Sequence, residues 1–322
     1  MSKQVVLCGS IAYDYLMKFP GHFNEHILPE HIDRLSLSFL VDEMRKQRGG
    51  VSANIAYNMG LLGATPLLFG TVGQDFGEYR QALDGVGVDT SGVTVIEDKF
   101  TASFFVNTDL DNRQIASFYA GAMGNADQLS LKDLDRSKIE FVVISPNAIE
   151  AMAKAVRECK ELDLPYVYDP GQQTVRLEKD DLLAGLDGSL MLLANDYELS
   201  LIEKKTDLTS AEIEKLTHLL IVTKGEHGAS IITDDASHHV DAVTPKEIAD
   251  PTGGGDAFRG GFFRAYTAGA DLQTAGKIGA LAATYCLEAA GTQVQSYTRE
   301  QFVSRWESVY GDPARVHEVL GL

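Results

Sequence analysis

Phe141-Val142-Val143-Ile144 stops at Ser145, a helical pattern runs from Ala148 to Leu162, and Tyr166-Val167-Tyr168 then stops at Asp169. Short apolar runs without polar alternation suit strands covered on both faces. The same punctuation recurs along the chain. Val5–Cys8 precedes Gly9-Ser10, Leu67–Phe69 precedes Gly70, Leu190–Ala194 precedes Asn195, and Leu219–Val222 precedes Thr223. Further helical patterns cover Asn195–Lys204 and Ala257–Ala268. Strand alternating with helix predicts an α/β fold, a doubly wound and mainly parallel sheet flanked by helices. Ligands of such sheets sit beyond the carboxyl ends of the strands, where the Gly, Asn and Asp residues fall here.

Two segments depart from this rhythm. Tyr13–Arg48 is polar and alternating, with a helix expected only over Phe39–Lys46. Thr101–Tyr119 reads as a hairpin, with strands at Thr101–Val106 and Gln114–Tyr119 and the turn at Asp109-Leu110-Asp111-Asn112. Together they predict a small β-rich appendage. The expected division assigns residues 1–12, 49–98 and 122–322 to the α/β core, and 13–48 and 99–121 to the appendage.

The chain has 322 residues, which at roughly 150 per domain allows two domains or one large one. Hydrophobic residues make up 44% and charged residues 23%, so a folded core is expected rather than global disorder. The net charge of −18 argues against nucleic acid and anionic membrane surfaces as partners. A small anionic ligand stays open, because a local nest of backbone N–H groups outweighs global charge. Cys8, Cys159 and Cys286 form no Cys-x-x-Cys pair, which reads as a reducing, cytoplasmic setting. The short run at Val5–Cys8 is a first strand rather than a signal peptide. No stretch approaches the roughly 18 apolar residues of a spanning helix.

The strongest chemical signal is Asp250-Pro251-Thr252-Gly253-Gly254-Gly255-Asp256-Ala257-Phe258, followed by Arg259-Gly260-Gly261-Phe262-Phe263. Three glycines ahead of a helix let backbone N–H groups converge, and the helix dipole adds positive potential. The product is an anion cradle suited to a phosphoryl group in transit. Asp256 at its mouth can accept the proton of a substrate hydroxyl. A Gly-rich turn with Asp256 as a plain N-cap is the simpler alternative.

The string resembles the signature of the ribokinase-like, or PfkB, carbohydrate and nucleoside kinases. Arg48-Gly49-Gly50-Val51-Ser52-Ala53-Asn54-Ile55-Ala56 resembles the N-terminal signature of that family. The resemblance runs in order along essentially the whole chain. It implies a phosphotransferase using ATP and Mg²⁺, with Asp256 as base, Gly253, Gly254 and Gly255 as anion hole, and the β-rich appendage as a lid. No Gly-x-x-x-x-Gly-Lys-Ser/Thr string occurs. Asn195-Asp196-Tyr197-Glu198 resembles the family's Asn-x-x-Glu element, so Asn195 and Glu198 are implied at Mg²⁺, largely through water. Thr223, Gly225 and Gly228 match its nucleotide loop, although that stretch alone reads as a hairpin turn. Some members use a monovalent cation such as K⁺, which the match implies at Asp250 and Thr252, with Gly291-Thr292-Gln293 opposite.

Further strings narrow the resemblance to the bacterial adenosine kinase branch. They are Gly9–Gly21, Leu28-Pro29-Glu30-His31, Ser36–Val41 and Gln114–Tyr119. Ser10, Asp14, Gly50, Asn54, Phe104, Phe118, Gln172 and Gln173 are thereby implied as the adenosine site. A carboxylate such as Asp14 accepts from two adjacent hydroxyls, and a glutamine amide both donates and accepts at a purine edge. Lid packing is the alternative for Phe104 and Phe118. The expected activity is transfer of the ATP γ-phosphoryl group to the 5′-hydroxyl of adenosine, in a homodimer paired through the lid. A sugar kinase, a broader nucleoside kinase and a non-catalytic nucleoside sensor are the competing readings. His22, His26 and His31 lack the spacing of a zinc site and read as lid contacts, and Trp306 reads as packing.

Overall fold

A computed structural model describes residues 3–27, 33 and 36–322. Its strands, in chain order, are β1 (Gln4–Cys8), β2 (Ala12–Lys18), β3 (Glu43–Gly49), β4 (Leu67–Gly73), β5 (Val93–Ile96), β6 (Ala102–Thr108), β7 (Gln114–Tyr119), β8 (Ile139–Ile144), β9 (Tyr166–Tyr168), β10 (Met191–Asn195), β11 (Leu220–Thr223), β12 (Ala229–Ile232) and β13 (Ser237–Val240). The helices are α1 (Val51–Leu61), α2 (Gly77–Gly85), α3 (Ile149–Glu161), α4 (Lys179–Leu186), α5 (Asp196–Thr206), α6 (Ser210–Glu214), α7 (Gly254–Thr267), α8 (Leu272–Leu287), α9 (Arg299–Tyr310) and α10 (Ala314–Leu320).

The main sheet has nine strands in the order β13-β12-β11-β10-β9-β8-β1-β4-β5. The pairings from β10–β11 through β4–β5 are parallel, and β12 and β13 extend one edge antiparallel. Each core strand feeds both faces. Val5, Leu7, Phe141, Val143, Val167 and Leu193 enter one apolar cluster with Phe258, Phe262 and Leu281. Val6, Val142, Ile144, Tyr166, Tyr168 and Leu192 enter the other with Met152, Leu182 and Ile202. Burial on both sides is the reason these runs lack polar alternation.

On the first face α7 is wedged between α1 and α8. A Cβ on Gly260 would lie 2.6 Å from the Asn58 Cβ, and one on Gly261 would lie 2.8 Å from the Ile278 carbonyl. The Gly-Gly pair therefore lets three helices approach closely.

The second sheet has four strands in the order β3-β2-β6-β7. The hairpin expected over Thr101–Tyr119 is β6 and β7, with the Asp109 carboxylate accepting from the Asp111 and Arg113 amides in the turn. The helix expected over Phe39–Lys46 does not form. Glu43–Gly49 is an edge strand antiparallel to β2. Its Glu, Met, Lys, Gln and Arg residues favour helix locally, but pairing with β2 overrides that weak preference, and charges suit an exposed edge. His22 contacts Asp111 at 3.0 Å and His26 packs edge-on to Phe19. His31 and Leu28-Pro29-Glu30 lie outside the described residues. Trp306 is buried and donates to the Asp312 carbonyl, as packing requires. No helix among the described residues is long and apolar enough to cross a membrane.

Candidate active site

The carboxyl ends of β9, β10 and β11 and the start of α7 enclose a cleft of about 440 Å³. Its floor is the glycine string. Gly253 is the N-cap of α7 at φ 81°, a left-handed conformation natural to glycine, and a Cβ there would meet the Thr292 Cγ2 at 2.7 Å. No side chain caps the helix. Its first N–H groups therefore have no partner within the helix. Gly253, Gly255 and Asp256 all line the cleft. The glycines do not all precede the helix: Gly254 and Gly255 are its first two residues. Asp256 is consequently the third, and the simple N-cap reading does not apply.

The Asn54 amide, on α1, donates to Asp256 Oδ2 at 2.8 Å. Burial pushes the Asp256 carboxyl up to about 6. Arg259 and the Asn54 hydrogen bond pull the other way, while Asp169 and Glu198 add to the rise. A carboxylate poised there ionises near neutrality and still holds a proton usefully, as a general base requires.

One pair was not singled out from the sequence. Arg259 Nη2 donates to Asp169 Oδ1 at 2.7 Å, with both side chains buried at the cleft. Asp169 Oδ2 and Arg259 Nε have no further partner. The signal was legible: Arg259 stands three residues after Asp256, hence on one helix face, and Asp169 ends a core strand.

On the opposite wall Asn195 and Glu198 form a reciprocal capping box at the start of α5. Asn195 Oδ1 accepts from the Glu198 amide at 2.7 Å, and Glu198 Oε2 accepts from the Asn195 amide at 2.9 Å. Burial raises the Glu198 carboxyl above its ordinary value, opposed by the Asn195 amide and Arg259 and reinforced by Asp169. Thr223 and Gly225 line the same wall, at the hairpin turn between β11 and β12. Gly228, at φ 77°, turns the chain against the Val240 carbonyl and does not line this cleft. Gln172 lines the cleft, whereas the Gln173 amide is spent on the Asn147 carbonyl at 2.6 Å.

The remaining residues do not line this cleft. Ser10 Oγ accepts from the Val51 amide, and Gly50, at φ 92°, caps α1 so close to the chain between β1 and β2 that a Cβ would lie 2.6 Å from the Ser10 carbonyl. Asp14, Phe104 and Phe118 stand in one cross-strand row of the lid sheet, with Gln47 at its other end. Burial pushes the Asp14 carboxyl up to about 6, with Asp250 adding repulsion. Asp250 Oδ1 accepts from the Thr252 amide at 2.8 Å, and the Thr292 hydroxyl donates to the Arg48 carbonyl.

The chain matches the pfkB family of carbohydrate kinases over residues 5–299. It is 31% identical over 310 residues to a nucleoside kinase of Methanocaldococcus jannaschii, covering 95% of this chain and 97% of that one. The structure of Burkholderia thailandensis nucleoside kinase in complex with inosine superposes with a TM-score of 0.83 at 34% identity, covering 95% of this chain and 98% of the other. The same enzyme in complex with ADP-inosine gives 0.83 at 35% identity over 96% of each chain. With the PfkB signatures brought together at one cleft, the chain belongs to the pfkB carbohydrate kinase family and is an ATP-dependent phosphotransferase.

Proposed function

We propose that the protein is a nucleoside kinase that phosphorylates the 5′-hydroxyl of adenosine. The observation that carries this reading is Asp256, aligned by Asn54 beside a helix N-terminus without a side-chain cap. Asp256 takes the 5′-hydroxyl proton as that oxygen attacks the γ-phosphorus of ATP and the bond to the β-phosphate oxygen breaks. The amides of Gly253, Gly254 and Gly255 stabilise the charge on the transferring group. Residues 13–48 and 99–121 act as the lid and exclude water, which would otherwise compete as acceptor.

The cleft suits Mg²⁺. Asn195 and Glu198 line it, and Glu198 is raised by burial. Oxygen donors in such a set match a hard divalent ion. Glu198 and Asn195 would hold it, largely through water, and the ion would neutralise donor phosphate charge. A monovalent ion such as K⁺ is proposed at Asp250 and Thr252, where it would relieve the repulsion between Asp250 and Asp14. The test is turnover with K⁺ exchanged for tetramethylammonium.

Asp14 would hold the ribose hydroxyls, with Ser10, Gly50 and Asn54 shaping that pocket, and Phe104, Phe118 and Gln172 would meet the base once the lid closes, Gln173 being held to the Asn147 carbonyl. Thr223, Gly225 and Gly228 would form the donor nucleotide's loop. A broader nucleoside acceptance is the second reading. It is favoured by Gln172, whose exposed amide presents either a donor or an acceptor to a purine edge. Every residue of edge strand β7 is exposed, which supports pairing of two chains through the lid; light scattering that gives a monomer at micromolar concentration removes that proposal.

The deciding experiment is ADP release with Mg²⁺-ATP against adenosine, inosine, guanosine, ribose and fructose 6-phosphate, with Asp256→Asn alongside. Turnover on adenosine above the others, lost in the variant, is expected. Turnover on sugars alone would overturn the nucleoside reading, and binding of adenosine and ATP without transfer would leave a sensor.

A further inference from the structure

Behind Asp256 lies a run of buried polar side chains that the phosphotransfer chemistry does not use. Gln293 Nε2 donates to Asn54 Oδ1 at 2.8 Å and also to the Tyr79 hydroxyl. The Tyr79 hydroxyl in turn donates to the Gly49 carbonyl at 2.7 Å. Gly49 is the last residue of β3, the lid strand that leads into α1. Gln293 and Tyr79 are both about 1% exposed. A second rung repeats the pattern, with Gln295 Nε2 donating to Asn58 Oδ1 at 3.0 Å. Asn54 and Asn58 stand four residues apart on one face of α1, and Gln293 and Gln295 meet them in step.

Hydrogen-bond direction makes the chain selective. The Gly49 carbonyl can only accept, so Tyr79 donates to it and offers its lone pairs to Gln293. Gln293 must then present its amide nitrogen, and with it the hydrogen that meets Asn54 Oδ1. Asn54 is thereby held with its own NH₂ toward Asp256. The reverse orientation would aim Asn54 Oδ1 at a carboxylate. Gln293 Oε1 has no partner, which leaves the nitrogen as the atom that carries the contact.

We infer that Gln293 is a positioning residue: it fixes the face that Asn54 presents to Asp256 and, through Tyr79, ties that face to the root of the lid at Gly49. The inference rests on the proposed role of Asp256 as base. Asp256 is also faced by Arg259 on its own helix, Asp169 after β9, Glu198 on α5 and the Cys286 thiol on α8, none of which the change below removes.

The first readout needs no acceptor. Asp256 is titrated by carboxyl ¹³C NMR, its signal assigned by loss in Asp256→Asn. In Gln293→Leu, Asn54 is released and the Asp256 titration is expected to move up by about one pH unit. Gln293→Glu, which can only accept when ionised, should move it further, by reversing Asn54. Tyr79→Phe should move it in the same direction and less, and the double variant with Gln293→Leu should be no worse than Gln293→Leu alone. In turnover, Gln293→Leu should lower kcat about tenfold with the KM for ATP unchanged, and the acid limb of the pH profile should follow the titration. A folded Gln293→Leu protein with an unmoved Asp256 titration overturns the inference, as does strict additivity with Tyr79→Phe. If the titration moves while wild type phosphorylates no nucleoside, the functional reading fails and the positioning stands.

Discussion

The core and the lid each carry a carboxyl pushed up to about 6, Asp256 at the start of α7 and Asp14 on β2. Burial dominates both shifts, but the neighbourhoods differ. Asp256 has a guanidinium and an amide donor to favour its charge, against two further carboxylates. Asp14 has only Asp250, which opposes it. The core thus holds its carboxylate charged and aligned before substrate arrives. The lid holds one whose charge gains partners only when hydroxyl donors or a cation come to it. That division matches a base in one place and a substrate clamp in the other.

The comparison breaks most sharply at Asp256→Asn. Removing the base should lower kcat by about 10²–10⁴-fold with acceptor KM little changed, measured by ADP release. An equal loss in Asp14→Asn would erase the distinction between the two carboxyls. For Asp14→Asn the expected change is instead a rise of about tenfold or more in nucleoside KM, the cost of weakened charge-assisted hydrogen bonds, with kcat reduced less. Next in size, Gln172→Ala and Phe104→Ala should each raise the adenosine KM several-fold while any turnover on free ribose stays within about twofold. Loss on ribose as well would assign Phe104 to lid packing and take Gln172 out of base recognition.

Two pH effects sharpen the contrast. The acid limb of kcat/KM should fall as pH drops through about 6, where both Asp256 and Asp14 must be ionised, and Asp14→Asn should leave the Asp256 limb in place. Stability runs the other way. A carboxyl raised in the folded state favours folding fully below its ordinary value near 3.8, and that contribution is lost as pH rises through about 6. Asp256→Asn should therefore be more stable than wild type at pH 8, on the order of 1 kcal/mol, with the gain vanishing toward pH 4. Thermal melts at both values check this.

Core and lid also differ in how far they could be read in advance. Val5–Cys8, Phe141–Ile144 and Tyr166–Tyr168 are buried on both faces, so composition alone marks them as strands. The β6–β7 hairpin was legible from its Asp-Leu-Asp-Asn turn. Strand β3 was not, because Glu43-Met44-Arg45-Lys46-Gln47-Arg48 is made of helix formers and becomes a strand only beside β2. In the site, the glycine string, Asp256 and the Asn195–Glu198 spacing stood out, since each is a local pattern with a local mechanism. Gln173 and Gln172 looked equivalent, and only the Asn147 carbonyl separates them.

Sequence by itself determined the α/β core, the family signatures and the identity of the candidate base, because each depends on residues close together in the chain. Tertiary structure decided which of those residues touch. The Asp169–Arg259 pair spans 90 positions, Asn54–Asp256 spans 202 and Asn54–Gln293 spans 239. Hydrogen bonds of that kind follow from how helices and strands pack, and local periodicity carries no record of them.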